Sequence, residues 1–165
     1  SRRSSERIAA RIGEVEARGA KFASLPPDRP LARFCEGVVI GDLLEPVEEI
    51  EARVRTLAAE GAHGHLVQVL DPAEETLPYE GRVEFLGLEG EGSTITNRAD
   101  ALRSQYADRL AAHRAALSRL SSRIEWSFLV HRTDQPPEQA LLALHMRLSG
   151  GARYDRKPMA PEAAP

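Results

Sequence analysis

The run Gly37-Val38-Val39-Ile40-Gly41-Asp42-Leu43-Leu44-Glu45-Pro46 limits the fold of this chain more than any other stretch. Its three adjacent β-branched residues have no polar residue between them. A strand of that kind is expected to be buried on both faces, as in parallel sheets. Asp42 then stands at the strand's carboxyl end, where open α/β sheets place their ligands. Pro46 follows as the opening of a helix. The same order recurs at His65-Leu66-Val67-Gln68-Val69-Leu70-Asp71-Pro72 and at Trp126-Ser127-Phe128-Leu129-Val130-His131-Arg132-Thr133-Asp134. Three strand–Asp–helix units are therefore predicted. The fold class is α/β, with a three-stranded parallel sheet flanked by helices.

Between these units the periodicity is readable. Ile8, Ile12 and Val15 mark a one-sided helix over residues 4–18. Val47, Ile50, Val54 and Leu57 form one stripe of a helix over 46–60, closed by Gly61. Residues 71–81 are acidic and rich in turn formers. An accessory β-hairpin is expected from 82–88 and 93–97, joined by the Gly-rich turn between them. Leu102, Tyr106, Leu110, His113, Leu117 and Leu120 keep helical register over 98–123. A last helix follows Pro136-Pro137, with Leu141, Leu144 and Leu148 facing inward. Residues 1–151 read as a single domain, and the Pro- and Ala-rich residues 152–165 as a disordered tail.

Composition removes several function classes. A net charge of −3 gives no electrostatic case for nucleic acid or an acidic membrane surface. The only lysines are Lys21 and Lys157, and no Gly-Lys-Ser/Thr phosphate loop occurs. Cys35 is the sole cysteine, so neither an intrachain disulfide nor a cysteine-based zinc site is open to the chain. A reducing compartment follows, and a cytoplasmic location is expected. No apolar run approaches the ~20 residues that span a bilayer. The first residue is Ser1 rather than Met, and a missing upstream portion is expected.

Four blocks carry a family resemblance: Val38 to Pro46, Gly64 to Pro78, Arg109 to Arg114, and His131 to Glu138. Together they resemble the bacterial family called domain of unknown function fifty-eight, in order over roughly residues 30–150. That family is related to the von Willebrand factor type A fold. The resemblance implies a doubly wound, Rossmann-like sheet with a metal-ion-dependent adhesion site at its top. It also implies association with a MoxR-type AAA+ ATPase. The adhesion site takes Asp-x-Ser-x-Ser after the first strand, a later Thr, and an Asp after the fourth strand. Asp42 matches the last of these, and no Asp-x-Ser-x-Ser is present. The chain thus resembles the second half of such a domain. Its first strand is expected to pair with the absent N-terminal half or with a second copy.

The strand ends bring Asp42, Glu45, Asp71, Glu74, Glu75, Asp134 and Glu138 toward one edge. Carboxylates are hard ligands that suit Mg²⁺, and Asp42 is the candidate metal residue of an incomplete site. Asp134 reads more readily as a helix cap than as a ligand, and Asp42 reads as either. His63 and His65 form a metal pair or simply the start of a strand. His113 lies on an apolar stripe, and His131 with Asp134 could make an acid–base pair. No nucleophile elbow is present, and Cys35 precedes its strand. Trp126, Phe128, Tyr79 and Phe85 fill core or make a stacking platform. Two functions remain. One is a non-enzymatic interaction module that presents the remaining carboxylates as its interaction edge, with no cofactor unless Mg²⁺ joins the missing half. The other is a Mg²⁺-dependent hydrolase or phosphotransfer domain.

Overall fold

Three parallel strands follow one another outward in chain order. The computed structural model describes residues 2–17, 24–28, 30–59, 61–86 and 92–151. The expected tail at 152–165 and most of the hairpin turn lie outside them. The elements are α1 (Arg2–Ala17), β1 (Glu36–Gly41), α2 (Val47–Ala58), β2 (His63–Leu70), α3 (Pro72–Thr76), β3 (Val83–Leu86), β4 (Ser93–Thr96), α4 (Ala99–Arg123), β5 (Ser127–Arg132) and α5 (Pro137–Gly151). The main sheet has the order β1-β2-β5 and is parallel throughout. Its register pairs Val39 with Leu66 and Leu66 with Phe128. β3 and β4 form a separate antiparallel hairpin, as expected.

One face of the sheet holds the core. Ile50, Val54 and Leu57 of α2 meet Leu66 of β2, Leu117 and Leu120 of α4, Leu43 and Trp126. The predicted stripe of α2 thus points where the periodicity puts it, while that of α4 is buried at Leu110, Leu117 and Leu120 and leaves Leu102 41% exposed at its start. Two glycines let these layers approach. A Cβ on Gly64 would stand 2.5 Å from the Trp126 ring, and one on Gly37 2.6 Å from Leu31. Trp126 precedes β5 rather than opening it, and its indole N–H donates to the Ala62 carbonyl at 3.1 Å. Burying the ring while satisfying its one donor is what fixes an indole in a core.

Three expectations need correction. β1 is not buried on both faces: Val38 is 39% and Ile40 63% exposed. β1 lies at the rim of the sheet, and α2 and α4 cover only the face that carries Val39. An apolar run therefore marked a strand correctly but not its cover. β1 also stops at Gly41, because Leu43 takes a left-handed φ of 50° and turns its side chain into the core at 3% exposure. Leu141 is not inside; it is 61% exposed on α5, while Leu144 and Leu148 are half-buried. The acidic stretch after Leu70 contains a short helix, α3, where only turns were expected. The helix is short, and its apolar content gives no periodic signal.

The backbone hydrogen bonds define which groups face outward. His63 N–H donates to Cys35 C=O, and Thr133 N–H donates to Leu70 C=O. In a parallel ladder alternate residues turn both N–H and C=O to the same neighbour. Glu36, Val38 and Ile40 therefore direct theirs away from β2 on one rim. Phe128, Val130 and Arg132 do so on the other rim.

Candidate functional site

The carboxyl ends of β1, β2 and β5 are tied together by one polar network. Gln68 interrupts the apolar run of β2 and is fully buried. Its side-chain amide donates to the Asp42 carbonyl at 2.8 Å. Its carbonyl oxygen accepts from Arg114 Nε at 3.0 Å. Arg114, on the face of α4 that looks at the sheet, also donates from Nη1 to Glu75 of α3. Glu75 faces Arg132 of β5 as well, at 3.4 Å. Arg132 in turn grips Asp134 through two nitrogens, at 3.1 and 2.8 Å. Four elements, β2, α3, α4 and β5, and the turn after β1 are thereby joined across the strand ends. Such half-buried, charge-assisted bonds are worth more than surface pairs, since each partner is costly to leave unpaired.

Each predicted carboxylate has a definite place. Asp42 is exposed and binds the network only through its backbone carbonyl. It caps nothing, because Pro46 stands at the N-cap of α2 and no side chain bonds there. Glu45 is half-buried, and its Oε2 is shielded from solvent without a hydrogen-bond partner. Asp71 caps α3: it accepts from Ala73 N–H at 2.8 Å, and Glu74 reaches back to the Asp71 N–H at 2.9 Å. This reciprocal capping box accounts for a helix of only five residues. Asp71 also accepts from the Thr133 hydroxyl at 2.9 Å. Asp134 is the partner of Arg132, whose hydrogen bond holds its carboxyl below the usual range. Glu138 sits exposed in the first turn of α5, where it favours the helix dipole.

The Mg²⁺ expectation can be tested on this donor set. Among the described residues, no three His, Cys, Asp or Glu side chains group as metal ligands would. Asp71, Glu75 and Asp134 are each engaged by a hydroxyl, an arginine or a backbone N–H. A Mg²⁺ ion asks for near-octahedral oxygen donors. The described carboxylates at the strand ends are not grouped in that way.

The histidines and aromatics also separate. His113 bonds the Leu43 carbonyl at 2.7 Å, a half-buried structural contact that pins α4 to the turn after β1. His65 lies within β2 at 8% exposure, bonded through Nδ1 to Ser127 at 2.7 Å, with Nε2 enclosed and unpartnered. Burial pushes its pKa below 6.5. His63 also lies in β2 but is exposed. Asp134 bonds Arg132, not His131. Tyr79 and Phe85 pack edge to face at 5.5 Å beside the hairpin, whereas Trp126 and Phe128 belong to the core. No common stacking platform forms. Gln68, Arg114, Arg132 and Thr133 escaped the sequence reading. The one available signal was Gln68, a polar residue set among Leu66, Val67, Val69 and Leu70 of β2.

The parallel sheet, its flanking helices and the cross-linked strand ends define an α/β protein of open-sheet type. Within that class, the chain belongs to the family described as "Protein of unknown function DUF58", whose model matches residues 23–116. Comparison with the curated proteins and with the solved structures found no match. Among the described residues, no helix is long and apolar enough to cross a membrane.

Proposed function

We propose that this chain is a non-enzymatic protein-interaction module, the second half of a von Willebrand factor A-like domain. The observation that carries the reading is the state of β1. A strand with the composition of a sheet centre has an open face, with Val38 at 39% and Ile40 at 63% exposure, and an outward row of ladder groups. A strand from the other half of the domain, or from a second copy, would complete it. The strand-end network supports the same reading. Its carboxylates are held in fixed bonds, which suits a rigid presenting edge better than a reacting centre. Asp42, Glu138 and the outer side of Glu74 are exposed there. The partner implied by the family resemblance is a MoxR-type AAA+ ATPase.

The test is co-purification of a tagged chain with a MoxR-type ATPase from the same genome. Retention by the native chain, and its loss on reversing charge at Asp42 and Glu138 together, is the expected result. Equal retention by the reversed variant would remove the strand-end edge from the interface. Turnover of a generic phosphoester with Mg²⁺, abolished by Asp42→Ala, would instead establish the hydrolase alternative.

A further inference from the structure

On the face of the sheet away from the core, β5 is covered by α5. Neighbouring residues of a strand point to opposite faces, so His65 and Val67 of β2 lie opposite Leu66. Ser127 and Leu129 of β5 stand beside them on one side, and Val38 and Ile40 of β1 on the other. α5 packs on β5, where Ala140 and Ala143 line one cavity with Leu129 and His131. It gives no residue to the core cluster of the other face. The helix runs back from the carboxyl end of β5, so its later residues come to the strand starts, where His65 and Ser127 lie. Its hold is light. Ala140, Ala143, Leu144 and Leu148 are half-buried, Leu141, Leu142 and Met146 are exposed, and no described side chain of α5 is fully buried.

His65 is the titratable group beneath this cover. It is 8% exposed, with Nδ1 bonded to the Ser127 hydroxyl at 2.7 Å and Nε2 shielded from solvent without a partner. A neutral ring fits these surroundings, since one nitrogen is paired and the other needs to present only a lone pair. An imidazolium does not, because both nitrogens then carry N–H and the Nε2 proton meets no acceptor. Burial is the main reason that the ring stays neutral; Glu36 of β1 opposes it, and Arg147 of α5 and His63 of β2 add to it. We propose that His65 is a pH-sensitive latch, whose protonation releases α5 from the sheet while the α2–α4 side stays folded. Release removes Arg147 from the ring and opens Nε2 to water. It also uncovers Leu129 and Val67, the latter 6% exposed while α5 is docked. The apolar surface that Val38 and Ile40 already present is thereby extended across β2 and β5. The latch works whether or not β1 or the strand ends have a partner.

Amide hydrogen exchange of the full chain, read segment by segment and corrected for the intrinsic effect of pH, tests this at about pH 7.5 and pH 5. A group of pKa 6.5 that can protonate only after release favours the released form by up to about 30-fold at pH 5. α5 should lose protection in acid within that limit. Its opening should also respond weakly to urea, as opening of a small area does, whereas α4 should follow the steep dependence of global unfolding. His65→Asn should leave α5 equally protected at both pH values. Arg147→Gln, at an exposed position, relieves the repulsion in the docked state and should make the acid loss smaller. Circular dichroism checks that both variants fold, and Arg147→Gln decides the matter should His65→Asn fail to. The proposal is overturned by α5 protection that does not change with pH, or by α5 and α4 opening together with one urea dependence. It is equally overturned by an acid loss that persists in folded His65→Asn, or that Arg147→Gln leaves as large.

Discussion

Gln68 uses both ends of its amide inside the protein, one on the Asp42 carbonyl and one on Arg114. The stability of the strand ends therefore depends on Arg114 far more than on Asp42. Arg114→Ala strands the Gln68 oxygen and the Glu75 carboxylate together; with Arg114 and Glu75 each 22% exposed, the expected loss is about 1–3 kcal/mol. Asp42→Ala removes an exposed carboxylate that caps nothing, and should stay within about 0.5 kcal/mol of the native chain. Urea midpoints of the two variants check the order, and equal losses would contradict it. His65 sets a pH dependence at the same scale. Its buried ring holds the folded pKa below the unfolded value of 6.5. Arg147 of α5 and His63 push in the same direction, and Glu36 of β1 opposes them. The unfolded chain thus binds the extra proton first. Stability from this site is whole above roughly pH 7 and falls as pH drops through 6.5 toward the folded pKa. Melting temperatures of the native chain and His65→Asn at about pH 7.5 and pH 5 test the sign. The variant should show the shallower acid-side loss.

The hairpin β3–β4 forms no ladder with the main sheet. Its four residue pairs form their own sheet, and Glu84, Leu86 and Ile95 are exposed. The parallel crossover from β2 to β5 already has its helix in α4. Replacing residues 82–96 with a short Gly-Ser linker should leave one cooperative unfolding transition. Loss of that transition would show the hairpin to be part of the folding unit. The stretch just before it is anchored differently: Arg103 donates to the Leu77 and Tyr79 carbonyls at 3.2 and 3.3 Å, so those residues belong with α4. α3 shows how an element escapes detection. It has five residues and no buried side chain, and the capping box made by Asp71 and Glu74 is what holds it. In sequence the same residues read as acidic ligand candidates.

At the scale of the molecule, the sheet ends in two unlike rims, β1 and β5. The β1 rim combines outward ladder groups with an apolar open face, which is the usual setting for association between chains. Sedimentation velocity should show the native chain self-associating as its concentration rises. Ile40→Lys should reduce that, since a charge on an edge strand is how natural sheets discourage pairing. A native chain that stays monomeric at high concentration would count against an unsatisfied β1 rim. The sequence by itself determined the order of the strands and of the longer helices, the parallel pairing and the buried face of α2. All of these follow from residue spacing along the chain, which local geometry converts directly into strand and helix faces. The tertiary structure alone decided that Val38 and Ile40 stay open, that Asp42 caps nothing and that Arg114 couples the strand ends. Cover over a strand depends on which helices reach its face. The partner of a carboxylate depends on residues tens of positions away, as Glu75 and Arg114 are, and neither is written in the spacing of neighbours.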